Sequence, residues 1–331
     1  MKSHPSITPN LARFETRPTS NHETGGFTLN TMKQGVSEDQ RTRILDLRRR
    51  HSFREVSQIT GIPLGTVKTI VSRSGAFRDN EAHRALFCLP PMQVSAGTTP
   101  AVQELPPQQG VTGDRDVDAL LWLREVIGTG QPGHIEAAME AAKRIKTPFK
   151  QLEERYRQWL QVKHPNNMFA ALSSFGLGNL ESLAKSSVEK LRKQTEAGSR
   201  FGDRIFNLTD AEVYCASVLD GLEPVDGFGL DKSEVAARFR PKPEQMPNTL
   251  SDCIYELEYW SSLYWLRNAC ERYAGDPAPE ASARDWFVFE LLAQIRPRHK
   301  DEAKAVMRYL SISGRSDHRQ DCDRIIDNLI G

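Results

Sequence analysis

Residues 52–73 read Ser52-Phe53-Arg54-Glu55-Val56-Ser57-Gln58-Ile59-Thr60-Gly61-Ile62-Pro63-Leu64-Gly65-Thr66-Val67-Lys68-Thr69-Ile70-Val71-Ser72-Arg73. Ser52 and Glu55 form a Ser-x-x-Glu capping box, which starts a helix. Val56 and Ile59 are three apart and share a helical face. Small Ser57 suits a close approach of two crossing helices. Gly61 supplies the positive φ that ends the helix. Ile62 then faces back to a core, and Pro63 fits the first turn of a second helix. Val67 and Ile70 continue the apolar side, while Thr66, Lys68, Thr69, Ser72 and Arg73 point outward. Upstream, Ser37-Glu38-Asp39-Gln40 is a second capping-box pattern. Ile44, Leu45 and Leu47 follow it as an apolar stripe, among Arg41, Arg43, Arg48, Arg49 and Arg50. The spacing predicts three helices, at about 38–50, 53–60 and 63–73.

A helix, a glycine turn and a second helix with a hydroxyl-plus-basic outer face is the layout of a DNA-reading helix-turn-helix. Lys and Arg reach phosphates or guanine, and Thr reaches base edges or a thymine methyl. The expected contact residues are Thr66, Lys68, Thr69, Ser72 and Arg73, with Arg48, Arg50 and Arg54 beside them. A helical hairpin that never meets DNA is the bland alternative. Agreement of caps, turn, apolar spacing and basic face favours DNA.

The run Gly61–Arg73 resembles the helix-turn-helix in region 4 of bacterial alternative sigma factors. Related helices occur in response regulators and in phage small terminase subunits. The resemblance spans residues 38–74. It implies that the helix starting near Pro63 reads DNA and that Thr66, Lys68 and Arg73 face it. The surroundings differ from a sigma factor, which carries a promoter-melting helical region ahead of this module. Here a Ser/Thr/Asn/Pro-rich stretch precedes it and a large unrelated region follows.

Charge is uneven along the 331 residues. The formal total is +1, while residues 38–84 hold +4, residues 1–37 hold +2 and residues 85–331 hold −5. A basic amino-terminal part on a mildly acidic remainder suits DNA contact at one end. The five cysteines, Cys88, Cys215, Cys253, Cys270 and Cys322, show no C-x-x-C and no histidine at zinc spacing. They read as reduced, mostly buried thiols of a cytoplasmic, nucleoid-associated protein. Neither a signal peptide nor a membrane-spanning run is expected.

Composition divides the chain into four parts. Residues 1–36 read as a disordered arm, in which Lys2, Arg13, Arg17 and Lys33 could touch DNA. Residues 37–89 hold the helix-turn-helix domain. Residues 90–113 form a Pro/Gln-rich linker that lets this domain move independently. Residues 114–331 form a larger irregular α-helical domain for oligomerisation or partner binding. Its expected helices start near Asp114, at Pro132, at a Thr147 cap before Pro148, across 177–194 and after a Thr209-x-x-Glu212 box. The longest is expected over 249–273, followed by helices at 281–295, 299–312 and 317–330. Tyr255, Tyr259, Trp260, Tyr264 and Trp265 form an aromatic stripe that reads as core. The fold class is therefore all-α.

No nucleotide-binding, zincin, hydrolase-elbow or dinucleotide fingerprint occurs. The cluster Asp317-His318-Arg319-Gln320-Asp321-Cys322-Asp323 contains metal-capable types but fits the polar opening of the last helix. Neither catalysis, a cofactor nor a metal is expected. The expected function is sequence-specific binding of double-stranded DNA by a bacterial or mobile-element transcriptional regulator, with the helical region as a homo-oligomer or protein-partner surface. The alternative is a DNA-recognition or recruitment subunit of a phage or plasmid assembly, small terminase-like or a replication accessory factor.

Overall fold

The computed structural model describes residues 36–93, 104–167, 169–225, 229–271, 275–315 and 319–330. The arm up to Gly35, the middle of the expected linker, and Asp317 and His318 lie outside the described residues. Ser37 and Ser52 both close capping boxes, so α1 (Glu38–Arg48) and α2 (Phe53–Thr60) begin where the sequence places them. α1 stops two residues early, because the Arg49 N–H turns to the Asp46 and Leu47 carbonyls. α3 (Leu64–Arg73) follows the Gly61 turn. Ile44, Val56, Val67 and Val71 form one small core between these three helices.

Among the described residues the chain forms fourteen α-helices and no strand beyond one bridge between Val225 and Gly229. Besides α1–α3 these are α4 (Glu81–Leu86), α5 (Arg115–Gly128), α6 (Pro132–Ala142), α7 (Phe149–Lys163), α8 (Leu180–Phe201), α9 (Asp210–Val218), α10 (Lys232–Phe239), α11 (Leu250–Cys270), α12 (Pro279–Leu291), α13 (Lys300–Ile312) and α14 (Arg319–Ile330). The Thr209–Glu212 box starts α9 as expected.

Three expectations fail locally. Thr147 does not cap α7. Pro148 takes the cap position, and the Thr147 hydroxyl donates to Asp116 Oδ2 on α5 at 2.5 Å. The longest helix is α8, at 22 residues against 21 for α11. Asn179 caps α8 by accepting from the Ser182 N–H, so the helix starts at Leu180 and continues seven residues past Gln194 to Phe201. α10, capped by Asp231, is an element the sequence reading did not separate.

α5, α6, α7 and the first half of α8 enclose one core, with Leu120, Ile127 and Leu152 fully buried. The second half of α8 lies on α11, where Ala197 and Leu266 meet and Gln194 Nε2 donates to the Ala269 carbonyl. The largest core gathers α4 and α9–α14 around Phe87, Phe239, Leu257 and Phe289. Burying each such side chain stabilises the fold by roughly 1.5–3 kcal/mol. The aromatic stripe of α11 divides. Tyr259 and Trp260 are buried, whereas Trp265 is half exposed with Lys193 Nζ over its ring.

The Pro-rich stretch does not set the first three helices apart from the largest core. Only residues 74–80 separate α3 from α4, and α4 is already inside that core. At the ends of the Pro-rich stretch, the Pro90 carbonyl accepts from Arg200 and the Pro106 carbonyl from Trp122 Nε1.

A buried ionic cluster fixes α4 to α11 and α12. Arg284 Nε donates to Glu256 Oε1 at 2.7 Å and Nη2 to Oε2 at 2.8 Å, and His83 Nε2 lies 2.6 Å from Oε2. All three side chains are fully buried. The Arg284 guanidinium also lies over the rings of Phe87, Phe239 and Phe287. Burial alone would raise the Glu256 carboxyl, but the Arg284 charge and hydrogen bonds, with those of His83, hold it below its ordinary value of 4.5.

Removing Glu256 leaves Arg284 buried without a counter-ion. Glu256→Ala is expected to lower unfolding stability by about 3–5 kcal/mol in a urea titration, with no change for Glu189→Ala on the exposed face of α8. Because folding depresses the Glu256 pKa, its stabilisation is whole above about pH 4.5 and is lost as the pH falls through the lower folded-state value. Acid unfolding of wild type and Glu256→Gln checks this, and the variant should lose part of that pH dependence.

Candidate nucleic-acid interface

Gly61 has φ +69° and ψ +7°, and an added Cβ there would meet open space. The turn therefore needs glycine for its backbone alone. Side chains of α2 close it. Ser57 Oγ donates to the Ile62 carbonyl at 2.7 Å, and Thr60 Oγ1 donates to Val56 O at 2.7 Å while accepting weakly from the Ile62 N–H. Ser57 thus ties the turn directly. Pro63 stands at the cap, one residue ahead of α3, with an extended ψ of 138°.

Val67 and Val71 are the buried positions of α3, with Ile70 half-buried beside them. The opposite arc carries the exposed side chains of Lys68, Thr69, Ser72 and Arg73. Thr66 is half-buried at one margin of this arc. The Thr69 hydroxyl donates to its own helix at Gly65 O, which leaves its oxygen lone pairs as acceptors. Lys68 and Arg73 make no ion pair among the described residues. The same holds for Arg54, exposed near the start of α2. Glu55 is occupied as a cap. It accepts the Ser52 N–H at 2.7 Å, and the Ser52 hydrogen bonds hold its carboxyl below the usual range.

Arg48 differs from the other expected contact residues. Its guanidinium lies 4.2 Å from the Phe53 ring centroid and its Nη1 donates to the His51 carbonyl. It is half-buried and joins the end of α1 to the start of α2. Arg50, two residues on, is exposed. The expected set thus divides into Lys68, Thr69, Ser72, Arg73, Arg54 and Arg50 on the surface, Thr66 at the margin, and Arg48 within the packing.

Sequence spacing missed a cleft of about 360 Å³ beside this arc. Lys68 and Ser72 of α3 form one wall, with Arg48 and Arg49 at the end of α1. Arg78 and Arg298 complete it. Arg298 comes from the loop before α13, where it pairs with Asp79 at 2.9 Å and Glu302 at 3.0 Å. Arg49 Nη1 donates to the Arg296 and Pro297 carbonyls, so the α1 end and this loop are in direct contact. Burial lowers the Arg49 pKa from its ordinary value, and Arg296 adds to that effect. Its Nε and that of Arg48 are buried without a hydrogen-bond partner. The Arg48-Arg49-Arg50 run was a readable signal for part of this cleft. Arg298 carried none, since nothing local relates it to residue 49.

The connection from α3 to the largest core is short and tightly held. Gly75 has φ +70°, and a Cβ there would come within 2.6 Å of Asn248 Nδ2. Asp79 accepts from Arg84, Arg298 and the Thr249 hydroxyl. The Asn80 N–H donates to Asp252, and its Nδ2 lies within hydrogen-bonding distance of the Pro243, Glu244 and Met246 carbonyls.

Comparison with protein-family models, with curated proteins and with solved structures finds no match to this chain.

Gly61 and Gly75 share a backbone conformation but differ in surroundings. Gly61→Ala should lose roughly 1–2 kcal/mol, the cost of a left-handed L-residue. Gly75→Ala should lose more, because Asn248 must also move. Paired thermal melts of the two variants check this order.

Proposed function

We propose that this chain is a sequence-specific double-stranded DNA-binding protein that lays α3 in the major groove through a helix-turn-helix formed by α2 and α3. The observation carrying the reading is the division of α3 into two faces. Val67 and Val71 are buried, while Lys68, Thr69, Ser72 and Arg73 form a continuous exposed arc with no acidic residue in it. An exposed helix face of hydroxyls and cations suits base edges and phosphates together. The left-handed Gly61 turn and the basic charge of residues 38–84 support the same reading. Transcriptional regulation is the role we assign, in a bacterial or mobile-element setting.

The larger helical region bears exposed Phe169, Leu172 and Phe175 beside α7. Exposed apolar side chains in one segment fit self-association or a protein partner. This favours keeping recruitment to a phage or plasmid assembly as a second reading. No helix among the described residues is long and apolar enough to cross a membrane.

Selection of binding sites from a random duplex pool, followed by affinity measurement at several salt concentrations, tests the proposal. Wild type should enrich one sequence, and its log affinity should fall linearly with log salt. Arg73→Ala should weaken the selected site by roughly 1–3 kcal/mol if it contacts a base. Enrichment of no sequence, with binding to none of the pool, would sink the reading.

A further inference from the structure

We propose that the cleft between α3 and the α12–α13 loop is a seat for a backbone phosphate of the same DNA, so that the large helical region contributes directly to the nucleic-acid interface. This rests on the DNA-binding reading above. Arg48, Arg49, Lys68, Arg78 and Arg298 line the cleft, and no carboxylate lines it. The acids nearby offset only part of this charge. Asp79 and Glu302 are taken up by Arg298, and Asp46 lies 3.9 Å from Arg49. Arg78 and Lys68 have no ion pair among the described residues. Val71, Phe53 and Phe77 supply apolar surface to the cleft. Low-dielectric walls strengthen the pull of the cations on an anion.

A phosphodiester fits better than a free anion because the cleft is continuous with the reading face. Lys68 and Ser72 are one helical turn apart and belong to both. A phosphate held there lies at the flank of the groove that α3 enters. Such contacts position a duplex without reading its sequence. Arg298 is the informative member. It belongs to the large region, and Asp79 and Glu302 hold it in place before any ligand arrives.

The experiment measures binding of the full chain to a selected site and to a random-sequence duplex across a salt series. Arg78 is exposed, so Arg78→Ala should fold normally. It is expected to weaken both duplexes by the same factor and to reduce the log–log salt slope by about 1. Arg78→Lys should restore the slope. Arg298→Gln is read against Asp79→Asn, since both lose the same ion pair but only the first loses a cation. Arg298→Gln should reduce the slope and Asp79→Asn should not. If wild type binds duplex and Arg78→Ala leaves affinity and slope unchanged, the cleft is not part of the interface, while the α3 reading stands. An Arg78→Ala effect confined to one sequence makes Arg78 a base reader and overturns the phosphate seat. Equal loss in Arg298→Gln and Asp79→Asn, with no slope change, makes the large region a support only. Wild type that binds no duplex overturns both proposals.

Discussion

The Glu256–Arg284 pair is the constraint on which the arrangement of the molecule depends. Two full charges sit in the largest apolar core, where neither tolerates being alone. Each carboxylate oxygen receives an N–H from the guanidinium, and three aromatic rings cover its faces. His83 adds the third member and carries α4 into the same site. Through α4, the position of this cluster governs where residues 74–80 end, and with the contacts of that short stretch how α3 is held. A buried network of this kind permits one partner geometry among the many that apolar packing alone would tolerate. The unpartnered Nδ1 of His83 is the one imperfect element in it.

Helix starts were the most legible feature of the sequence. Ser37, Ser52 and Thr209 each reach a backbone N–H three residues on, and the acid or amide at the third position reaches back. Those contacts are local, so spacing alone reveals them. Thr147 failed for a physical reason. A threonine before proline has the composition of a cap, but α7 starts at Phe149, so Pro148 holds the cap position and Thr147 lies one residue outside it, where its hydroxyl donates to Asp116 on a neighbouring helix. α10 was overlooked because Lys232–Phe239 is short and its buried residues, Val235 and Phe239, are only two in number. The aromatic stripe of α11 was half right. Tyr259 and Trp260 turn to the core, while Trp265 falls beyond the edge of the packed face.

At the candidate interface, the exposed face of α3 was readable because one helix carries it at a fixed period. Which of the arginines near residue 48 would reach the surface was not. Arg48 satisfies the end of α1 and stacks on Phe53, a role that depends on how α1 and α2 cross. Arg298 depended on the whole path of the chain. Compositional boundaries misled for a related reason. Prolines mark where helices cannot continue, and they do not mark where packing stops. The chain enters its largest core at Leu86 and Phe87, ahead of the first proline pair.

For the proposed DNA-binding role the consequence is geometric. A reading helix on a loose tether takes its orientation from the DNA, and the rest of the protein contributes little to where it lands. Here the tether is replaced by a left-handed Gly75 wedged against Asn248, by Asp79 held from three sides, and by Arg49 bonded to the Arg296 and Pro297 carbonyls. Any orientation of α3 in a groove is therefore an orientation of the large helical region as well. Two copies joined through that region would hold their α3 helices at a separation set by packed helices. Under the proposed DNA-binding role, half-site spacing would then be set by the packed core, which the buried charges at Glu256 and Arg284 hold together.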